Sequence, residues 1–446
     1  MKWFKRGLWL TAWSFWLWLG FGLYRELPRM PGRLASKLSF ERDRDRPVGF
    51  IADTDNLVAI RGMHPTDEKA VEVYEAATRK RLQTFPTEEF TYEELASHWF
   101  AKRHGVLFVT HNSRRFINGD GGPFHGLNML DVTNGRWRRI TTSSLHDIVL
   151  HDDQPWIAFF EYGSAWPRRK QVILYDFVAD KRLLVRVDRA DSRIVERPFF
   201  IPARATLVIP VRSPGPNKTL DDVEFELWDL NRKPLEPRVV KGWRVGDQPS
   251  IAANGRVAFG AHDPASIHVF SIDEGRLLFS DVANAERPIG QFRPQHHWIN
   301  VGISRDGKRA IGSSTKAVWD VDSGKKIWRT QEHQTALAVG DGEHFQVLEQ
   351  WGNIWNKWFP SLKYNSVAIR RFDTGQLVHR AEQSTWISPL HWNSSRTLAV
   401  DLDGSVHRLP YVVNWSLLAL CQTILALPLV LLWALLRWRR VRRLKP

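Results

Sequence analysis

The sequence contains a single cysteine among its 446 residues, Cys421, so no disulfide bond can form within the chain. It also lacks a glycine-rich phosphate loop, a dinucleotide fingerprint, a G-x-S-x-G nucleophile elbow and any H-x-x-x-H pair of metal ligands. The sequence therefore predicts no catalytic residues, no metal site and no cofactor. It favours a binding protein over an enzyme.

Acidic residues are scarce at both ends of the chain. Residues 1–46 hold ten Lys and Arg against four Asp and Glu, and residues 411–446 hold six Lys and Arg with no acid. Each end carries +6 of the total charge of +15, which leaves +3 for the residues between them. A body so close to neutral is not suited to following a phosphate backbone, so we expect no nucleic-acid partner.

Charge is absent altogether from two apolar stretches, residues 8–23 and 412–436. Their lengths predict a signal anchor over residues 1–24, with no cleavage site after it, and a transmembrane helix over residues 411–436. The basic tail, residues 437–446, predicts a cytoplasmic C-terminus. We therefore expect an inner-membrane protein, held in the lipid bilayer by two helices. Both termini would be cytoplasmic and the body would lie outside the cytoplasmic membrane.

The body is filled by a repeat, which is clearest in residues 301–328. Short apolar runs alternate there with tight turns, in which Gly307 and Gly324 supply the positive φ that hairpins need. Similar first hairpins begin at eight places, residues 49, 98, 148, 198, 249, 301, 337 and 389. A second hairpin follows in seven units, from residues 73, 129, 174, 227, 269, 318 and 369.

Repeats of roughly 50 residues with four short strands each are typical of a β-propeller, which we predict for residues 48–410. The eighth unit ends early because the second apolar stretch interrupts it. Residues 25–47 are therefore expected to supply a linker and the closing strand. The predicted fold class is all-β with eight blades, or seven if a degenerate unit at residue 198 or 337 is not a blade.

Particular dipeptides strengthen the propeller assignment. The pairs Trp228-Asp229 and Trp319-Asp320 make the units resemble WD40 repeats, and the Asp-x-x-x-Gly turns resemble quinoprotein-like blades. The resemblance covers residues 48–410 but departs from the WD40 pattern, since no Gly-His dipeptide precedes the units and Ser271 and Arg371 replace the acid in two of them. A quinoprotein likeness implies a quinone near the ring axis, for which this sequence identifies no ligands.

The longest connections within the units are predicted between their second and third strands. They carry aromatic residues that could bind a partner protein or a sugar: Trp166 in the third unit, and Trp351, Trp355, Trp358 and Phe359 in the seventh. The alternative is that the seventh loop folds back and buries its aromatic side chains. Because both apolar ends attach beside one blade, these loops are expected to point away from the membrane.

These predictions together describe a membrane-anchored propeller that acts as an interaction or assembly scaffold through its distal loop face. The alternative is an envelope enzyme or a ligand sensor that uses the channel mouth, where links between blades carry His146, Asp147, His296 and His297.

Overall fold

A computed structural model of the chain describes residues 2–438 apart from a set of omitted positions: 27–28, 39, 41–44, 63–68, 88–94, 112–123, 163–169, 188–193, 213–222, 242–248, 263–264, 283–300, 313–316, 330–333, 339–342, 352–363, 383–390, 396, 401–403, 414–418, 420–421, 424–425, 428–429, 432 and 436–437. The chain begins with a helix, α1 (Lys2–Glu26), and continues almost entirely as antiparallel β-strands. This confirms the predicted propeller-like fold in its coarse features.

The strands group into four-stranded units in chain order. Unit 1 contains β2 (Arg46–Phe50), β3 (Asn56–Arg61), β4 (Ala70–Glu75) and β5 (Lys80–Pro86). Unit 2 contains β6 (Leu95–Ala101), β7 (Val106–His111), β8 (Phe124–Asp131) and the first part of β9 (Arg136–Leu150). Unit 3 contains the second part of β9, β10 (Trp156–Tyr162), β11 (Lys170–Asp176) and β12 (Lys181–Val187). Units 2 and 3 thus share one strand and form a continuous seven-stranded sheet.

Unit 4 has a divided first strand, because β13 (Ile194–Val195) and β14 (Phe199–Phe200) both pair with β15 (Thr206–Arg212). Its other strands are β16 (Val223–Asp229) and β17 (Pro237–Lys241). Unit 5 contains β18 (Ser250–Ile251), β19 (Arg256–His262), β20 (Ala265–Ser271) and β21 (Arg276–Val282). Unit 6 contains β22 (Val301–Ile303), β23 (Arg309–Gly312), β24 (Ala317–Asp320) and β25 (Lys326–Arg329). Unit 7 contains β26 (Gln334–Ala338), β27 (His344–Trp351), β28 (Tyr364–Arg371) and β29 (Leu377–Glu382).

Unit 8 is completed from the other end of the chain. Its first strands are β30 (His391–Trp392), β31 (Leu398–Val400) and β32 (Ser405–Val413), and its fourth strand is β1 (Arg29–Lys37). The backbone N–H of Leu38 also donates to the Gly404 carbonyl at 2.9 Å. The closing strand therefore comes from the predicted segment 25–47.

Burial within the units follows the order of the strands. The second strands β3 and β10 are buried along their whole interior, whereas the fourth strands β5 and β17 are largely exposed. A strand that is buried on both faces can be apolar at consecutive positions, as in the sequence Val58-Ala59-Ile60. The units therefore stack face to face, with their fourth strands at the outer edge.

Neighbouring units pack through apolar clusters, seven of them among the described residues. These clusters join units 1–2, 2–3, 3–4, 4–5, 5–6, 6–7 and 8–1. Units 7 and 8 meet where the His344 and Trp392 rings stack, with centroids 5.0 Å apart. The contact between units 8 and 1 joins the two ends of the array. It includes a hydrogen bond of 2.7 Å from the Asn393 side-chain amide to Asp55 Oδ1.

The Asp-x-x-x-Gly signature has a direct structural cause. A carboxylate oxygen of Asp131 accepts the backbone N–H of Thr133 at 2.9 Å, and Asp320 accepts that of Ser323 at 2.8 Å. The glycine that ends each turn has positive φ, 74° at Gly135 and 65° at Gly324. The aspartate holds the turn and the glycine permits it, which is why this pair marks the repeat in sequence.

The two ends of the chain form helices beside unit 8. The described positions between 419 and 438 are helical, and the Trp16 indole of α1 donates to the Gln422 carbonyl at 3.2 Å. Within the part of the chain that the structure describes, no helix meets both the length and the hydropathy of a membrane span. The structure thus gives no support to the two predicted spans.

Candidate functional site

The predicted aromatic site residues fall largely outside the described residues. Trp351 ends β27 and pairs with Tyr364, so these two residues flank the omitted loop that carries Trp355, Trp358 and Phe359. Trp166 lies in the omitted segment 163–169. Both loops connect the second and third strands of their units, as predicted from sequence, and the binding role of their aromatic residues stays a prediction.

The chain ends define one side of the array. In unit 8, Arg408 of β32 pairs with Leu398, the first residue of β31. β32 continues beyond this pair to Val413, so it ends next to the turn between β30 and β31. First turns, meaning those between first and second strands, are linked from unit to unit. The Ala52 N–H donates to the Lys102 carbonyl at 2.8 Å, and His151 bonds the Arg204 carbonyl at 2.9 Å. We call this the turn side, and the side with the second-to-third connections the loop side.

A triad of hydrogen-bonded side chains lies on the loop side of unit 3. His146 Nδ1 is 2.5 Å from Asp147 Oδ2, and His146 Nε2 is 2.6 Å from the Tyr162 hydroxyl. With Nδ1–H donating to the carboxylate, Nε2 accepts the tyrosine proton. The triad is half-buried, with 23% of the His146 side chain and 33% of Asp147 exposed.

The backbone under this triad is distorted. Asp147 has a φ of 53°, which is uncommon outside glycine, and it sits where the pairing of β9 with β10 shifts register between Ala158 and Phe160. Bulges of this kind redirect side chains and concentrate near functional sites. The geometry can hold and pass a proton, and it can equally fix the end of β10. Sequence reasoning placed His146 and Asp147 at the channel mouth but missed Tyr162, whose signal is its position at the end of a second strand.

No group of three or more His, Cys, Asp or Glu side chains suited to a metal ion occurs among the described residues. The predicted pair His296 and His297 lies outside them.

A second group of polar residues gathers where the first strands meet. We call it the central cluster, and it comprises Arg46, His98, Lys102, Asp152, Arg305 and His391, from units 1, 2, 3, 6 and 8. Interactions between its members cross unit boundaries. His391 of unit 8 is affected by the charge of Lys102 of unit 2, and Asp152 of unit 3 by that of Arg305 of unit 6. The first strands are therefore innermost, and the cluster lines the centre of the array.

Both histidines of the central cluster are neutral at ordinary pH. Burial lowers the pKa of His391 to about 3, with further lowering by the charges of Lys102 and His98. Burial also lowers the pKa of His98 to about 4, assisted by the charge of Arg46. A ring nitrogen of His391 donates to the Pro47 carbonyl, which fixes the orientation of the ring.

The charged residues of the central cluster are accessible to water although protein surrounds them. Lys102, Asp152 and Arg305 are all exposed to solvent. Even so, burial raises the pKa of the Asp152 carboxyl, although the positive charges of Lys102 and Arg305 lower it. A side chain that is accessible to water yet surrounded by protein lines an opening. The centre of the array on the turn side is therefore a solvated, polar mouth.

Comparisons with known proteins identify no family. No family model matches the chain, and no curated protein matches it. The resemblance to WD40 and quinoprotein-like repeats is therefore unsupported at the family level. Among solved structures, the dihydro-heme d1 dehydrogenase NirN in complex with DHE is similar at 14% identity and a TM-score of 0.47, over 85% of this chain and 76% of that chain. KlHsv2 with loop 6CD replaced by a Gly-Ser linker is similar at 14% identity and a TM-score of 0.38, over 69% of this chain and 89% of that chain.

Proposed function

We propose that this protein is an eight-bladed propeller, closed by β1, that is tethered to a membrane by its two terminal helices and presents its loop side to a partner protein. One observation carries the proposal. Arg29 and Val413 are paired at the ends of β1 and β32, so α1 and the C-terminal helix leave the propeller side by side on the turn side. A tether at this position leaves the loop side free.

The surface of the helices supports the lipid bilayer as their environment. In α1, Leu17 is 62% exposed and Trp18 is 67% exposed, and Trp433 and Leu435 of the C-terminal helix are also exposed. Large apolar side chains on several faces of a helix are unfavourable in water. α1 contains five tryptophan residues, and tryptophan is enriched where a membrane meets water. The basic tail over 437–446 favours the cytoplasm for both termini.

The topology is tested by labelling single cysteines in intact cells. In a Cys421→Ser background, Asn356→Cys reports on the loop side and Arg442→Cys on the tail. With a membrane-impermeant maleimide, we expect Asn356→Cys to react before lysis and Arg442→Cys to react only afterwards. Reaction of Asn356→Cys only after lysis overturns the proposed orientation.

The scaffold function is tested by photocrosslinking from each side of the propeller. A crosslinking amino acid at position 356 belongs to the connection between β27 and β28. One at Val178, which is 67% exposed in the turn between β11 and β12, lies on the turn side. We expect a discrete protein adduct from position 356 only. The adduct should be lost in Trp355→Ala and kept in the same-loop control Ser361→Ala. Equal adducts from both positions, or an adduct that persists in Trp355→Ala, contradict a binding role for this loop.

A second candidate function is supported by the central cluster. Polar side chains line this mouth, where an apolar plug would close it, and a ligand sensor or an enzyme working at the channel mouth would need such a lining. Substitutions at Lys102 and Arg305 that abolish the cellular function of the protein, without loss of the position-356 adduct, would favour this candidate over the scaffold.

A further inference from the structure

We infer that His151 forms an acid-sensitive link between units 3 and 4, which holds the first turn of unit 3 closed at neutral pH and releases it when the imidazole ring is protonated. We call residues 151–156 the His151 turn. This inference does not depend on the tether or on a protein partner. It rests on the hydrogen bonds of one buried side chain, and on a side chain of unit 8 that makes equivalent bonds but does not titrate.

Both ring nitrogens of His151 are hydrogen-bonded, and the residue is only 3% exposed. Nδ1 lies 3.1 Å from the backbone nitrogen of Asp153 and 3.0 Å from that of Gln154, so it accepts both N–H groups and carries no proton. Nε2 therefore bears the hydrogen and donates it to the Arg204 carbonyl of unit 4 at 2.9 Å. The neutral ring thus closes the turn of its own unit and connects that turn to the next unit.

A proton on Nδ1 of His151 is incompatible with the closed turn. The new N–H would point at the N–H groups of Asp153 and Gln154, and both would lose their acceptor. Lost hydrogen bonds of this kind favour a conformation in which the turn opens and water accepts the three hydrogens. Because the open turn accommodates the proton and the closed turn does not, acid shifts the equilibrium towards the open turn.

The charged groups on one side of the ring belong to units 2 and 3. Asp152 and Asp153 follow His151 directly in the chain. The Asp153 carboxylate pairs with Arg103 of unit 2 at 2.9 Å, and His104 Nε2 lies 3.3 Å from the Asp153 carbonyl. His104 is therefore a second titratable ring at this turn, and an experiment has to separate its effect from that of His151.

The groups on the other side of the ring belong to units 4 and 5. The Arg204 guanidinium makes two hydrogen bonds to the Asp273 carboxylate of unit 5, at 2.9 and 3.0 Å, which offset its charge. Trp156 and Phe200 are uncharged and pack edge to face with the imidazole, with ring centroids 5.5 and 5.2 Å away. This packing restricts rotation of the ring, so a proton on Nδ1 acts on the turn.

The position of His151 recurs in other units. The residue after the first strand donates its backbone N–H to the carbonyl of the first residue of the second strand, as His151 does to Trp156 at 3.0 Å. Five other units show the same bond, from Ile51, Ile201, Ala252, Ser304 and Asn393. Of these six side chains, the imidazole is the one that changes its charge between about pH 5 and 8.

Asn393 of unit 8 reproduces the bonds of His151 without a titratable group. Its Oδ1 accepts the N–H groups of Thr397 and Leu398 at 2.9 and 3.0 Å, and its amide donates to Asp55 of unit 1 at 2.7 Å. His391 lies nearby in the chain, but its pKa of about 3 keeps it neutral over the range in which histidine ordinarily titrates. The junction of units 8 and 1 is therefore the natural reference for the junction of units 3 and 4.

Opening of the His151 turn affects more than one junction. Asp152, the acid of the central cluster, lies within this turn. The Phe177 N–H, at the third turn of unit 3, donates to the Pro155 carbonyl at 3.0 Å. Acid is therefore expected to alter the central mouth at Asp152 and to loosen the turn side of unit 3.

The test is hydrogen–deuterium exchange of the full-length protein at pH 7.5 and pH 5.5, with exposure times scaled for the intrinsic pH dependence of exchange. We expect protection of the Asp153 and Gln154 amides to fall about tenfold or more at pH 5.5, because both lose their acceptor. The Thr397 and Leu398 amides, which Asn393 holds in the same sample, should change by less than about twofold.

His151→Asn is the matched variant, because the asparagine Oδ1 takes the place of Nδ1 and does not titrate. We expect protection of the Asp153 and Gln154 amides in this variant to be independent of pH within about twofold. If the fall at pH 5.5 persists in His151→Asn, another group such as His104 causes it, and the inference is overturned.

A second measurement examines the ring itself and does not depend on how well asparagine holds the turn. In protein labelled with nitrogen-15 histidine, the ring signals of His151 are those missing from the spectrum of His151→Asn. We expect the Nε2–H tautomer at pH 7.5, and a titration of the ring whose midpoint matches the loss of amide protection in the unaltered protein. An Nδ1–H tautomer at pH 7.5, or amide protection that does not fall at pH 5.5, overturns the inference.

Discussion

Trp16 and Gln422 are 406 residues apart in sequence, and the indole Nε1 of the first donates a hydrogen bond to the carbonyl of the second at 3.2 Å. Gly20, one turn further along α1, is buried against the Gln422 side chain, where a Cβ would overlap its amide. Because α1 runs towards unit 8 and the C-terminal helix runs away from it, the two helices are antiparallel. The ends of the chain are thus joined twice, by strands and by helices.

The first prediction concerns this helix pair. In a Cys421→Ser background, Gly20→Cys and Gln422→Cys should form an intramolecular disulfide on mild oxidation, because position 20 faces residue 422. Phe21→Cys is the matched control, since it lies at the same height on an exposed face of α1. We expect a reducible shift in gel mobility for the 20–422 pair only, and equal crosslinking of the 21–422 pair would contradict the packing.

The second prediction concerns the closing strand. Gly404 has a φ of 77°, and a Cβ there would lie 2.8 Å from the Leu38 carbonyl. Gly404→Ala should therefore combine the strain of a left-handed alanine with displacement of β1, and lower the free energy of unfolding by about 2–4 kcal/mol. Gly275→Ala is the control, because its φ is 62° but its nearest contact would be an ordinary 3.9 Å. It should cost about 1 kcal/mol. Urea denaturation measures both, and equal losses would show that the contact with β1 does not matter.

The third prediction concerns the junction of units 8 and 1. Asn393 is buried, its amide donates to Asp55, and its Oδ1 accepts the N–H groups of Thr397 and Leu398 at 2.9 and 3.0 Å. Asn393→Ala removes the acceptor of the buried Leu398 N–H and the donor to Asp55, so we expect a loss of about 2–4 kcal/mol in the free energy of unfolding. Ser395→Ala, an exposed member of the same network, should cost less than about 1 kcal/mol. A loss below 1 kcal/mol in Asn393→Ala would be inconsistent with a buried junction.

The fourth prediction concerns pH. The pKa of His98 is lowered to about 4 and that of His391 to about 3, below the ordinary value of 6.5 in the unfolded chain. Between these values the unfolded state binds more protons than the folded state, so stability falls as the pH drops from 6.5 towards 4. The double variant His98→Gln/His391→Gln should show a shallower fall when denaturation midpoints are compared at pH 7.5, 6 and 4.5. An unchanged slope would contradict the burial of these rings.

Much of the fold can be predicted from the sequence because its turns are local. Asp320 and Gly324 form their turn within five residues, and the same chemistry marks other units. Ser271 takes the aspartate role in unit 5, where its hydroxyl accepts the Glu274 N–H at 3.3 Å. The closing strand is harder to predict, since Pro31 and Gly32 disturb its pattern and its pairing with β32 shifts register repeatedly.

The central cluster could not be predicted because its members are distant in sequence. His98 and His391 lie in the first strands of units 2 and 8. No neighbouring residue in the sequence indicates that either histidine faces the centre of the array. The same hairpins were recognised from their apolar residues, which repeat in every unit. A polar residue that occurs at only one or two first strands is not part of the repeat. The repeat therefore predicts the fold but does not reveal the residues of the central cluster.

The pairing of Lys37 with Ser405 sets an order of events during synthesis. β1 is synthesised before units 1 to 7, and its partner β32 is synthesised after all of them. Until then β1 has no strand to pair with, and the growing array has an open edge. Long-range pairing of this kind is slow and exposes strand edges to association with other chains. β1 and β32 can therefore pair only after the seven intervening units have been made, and the nascent chain exposes an open strand edge until then.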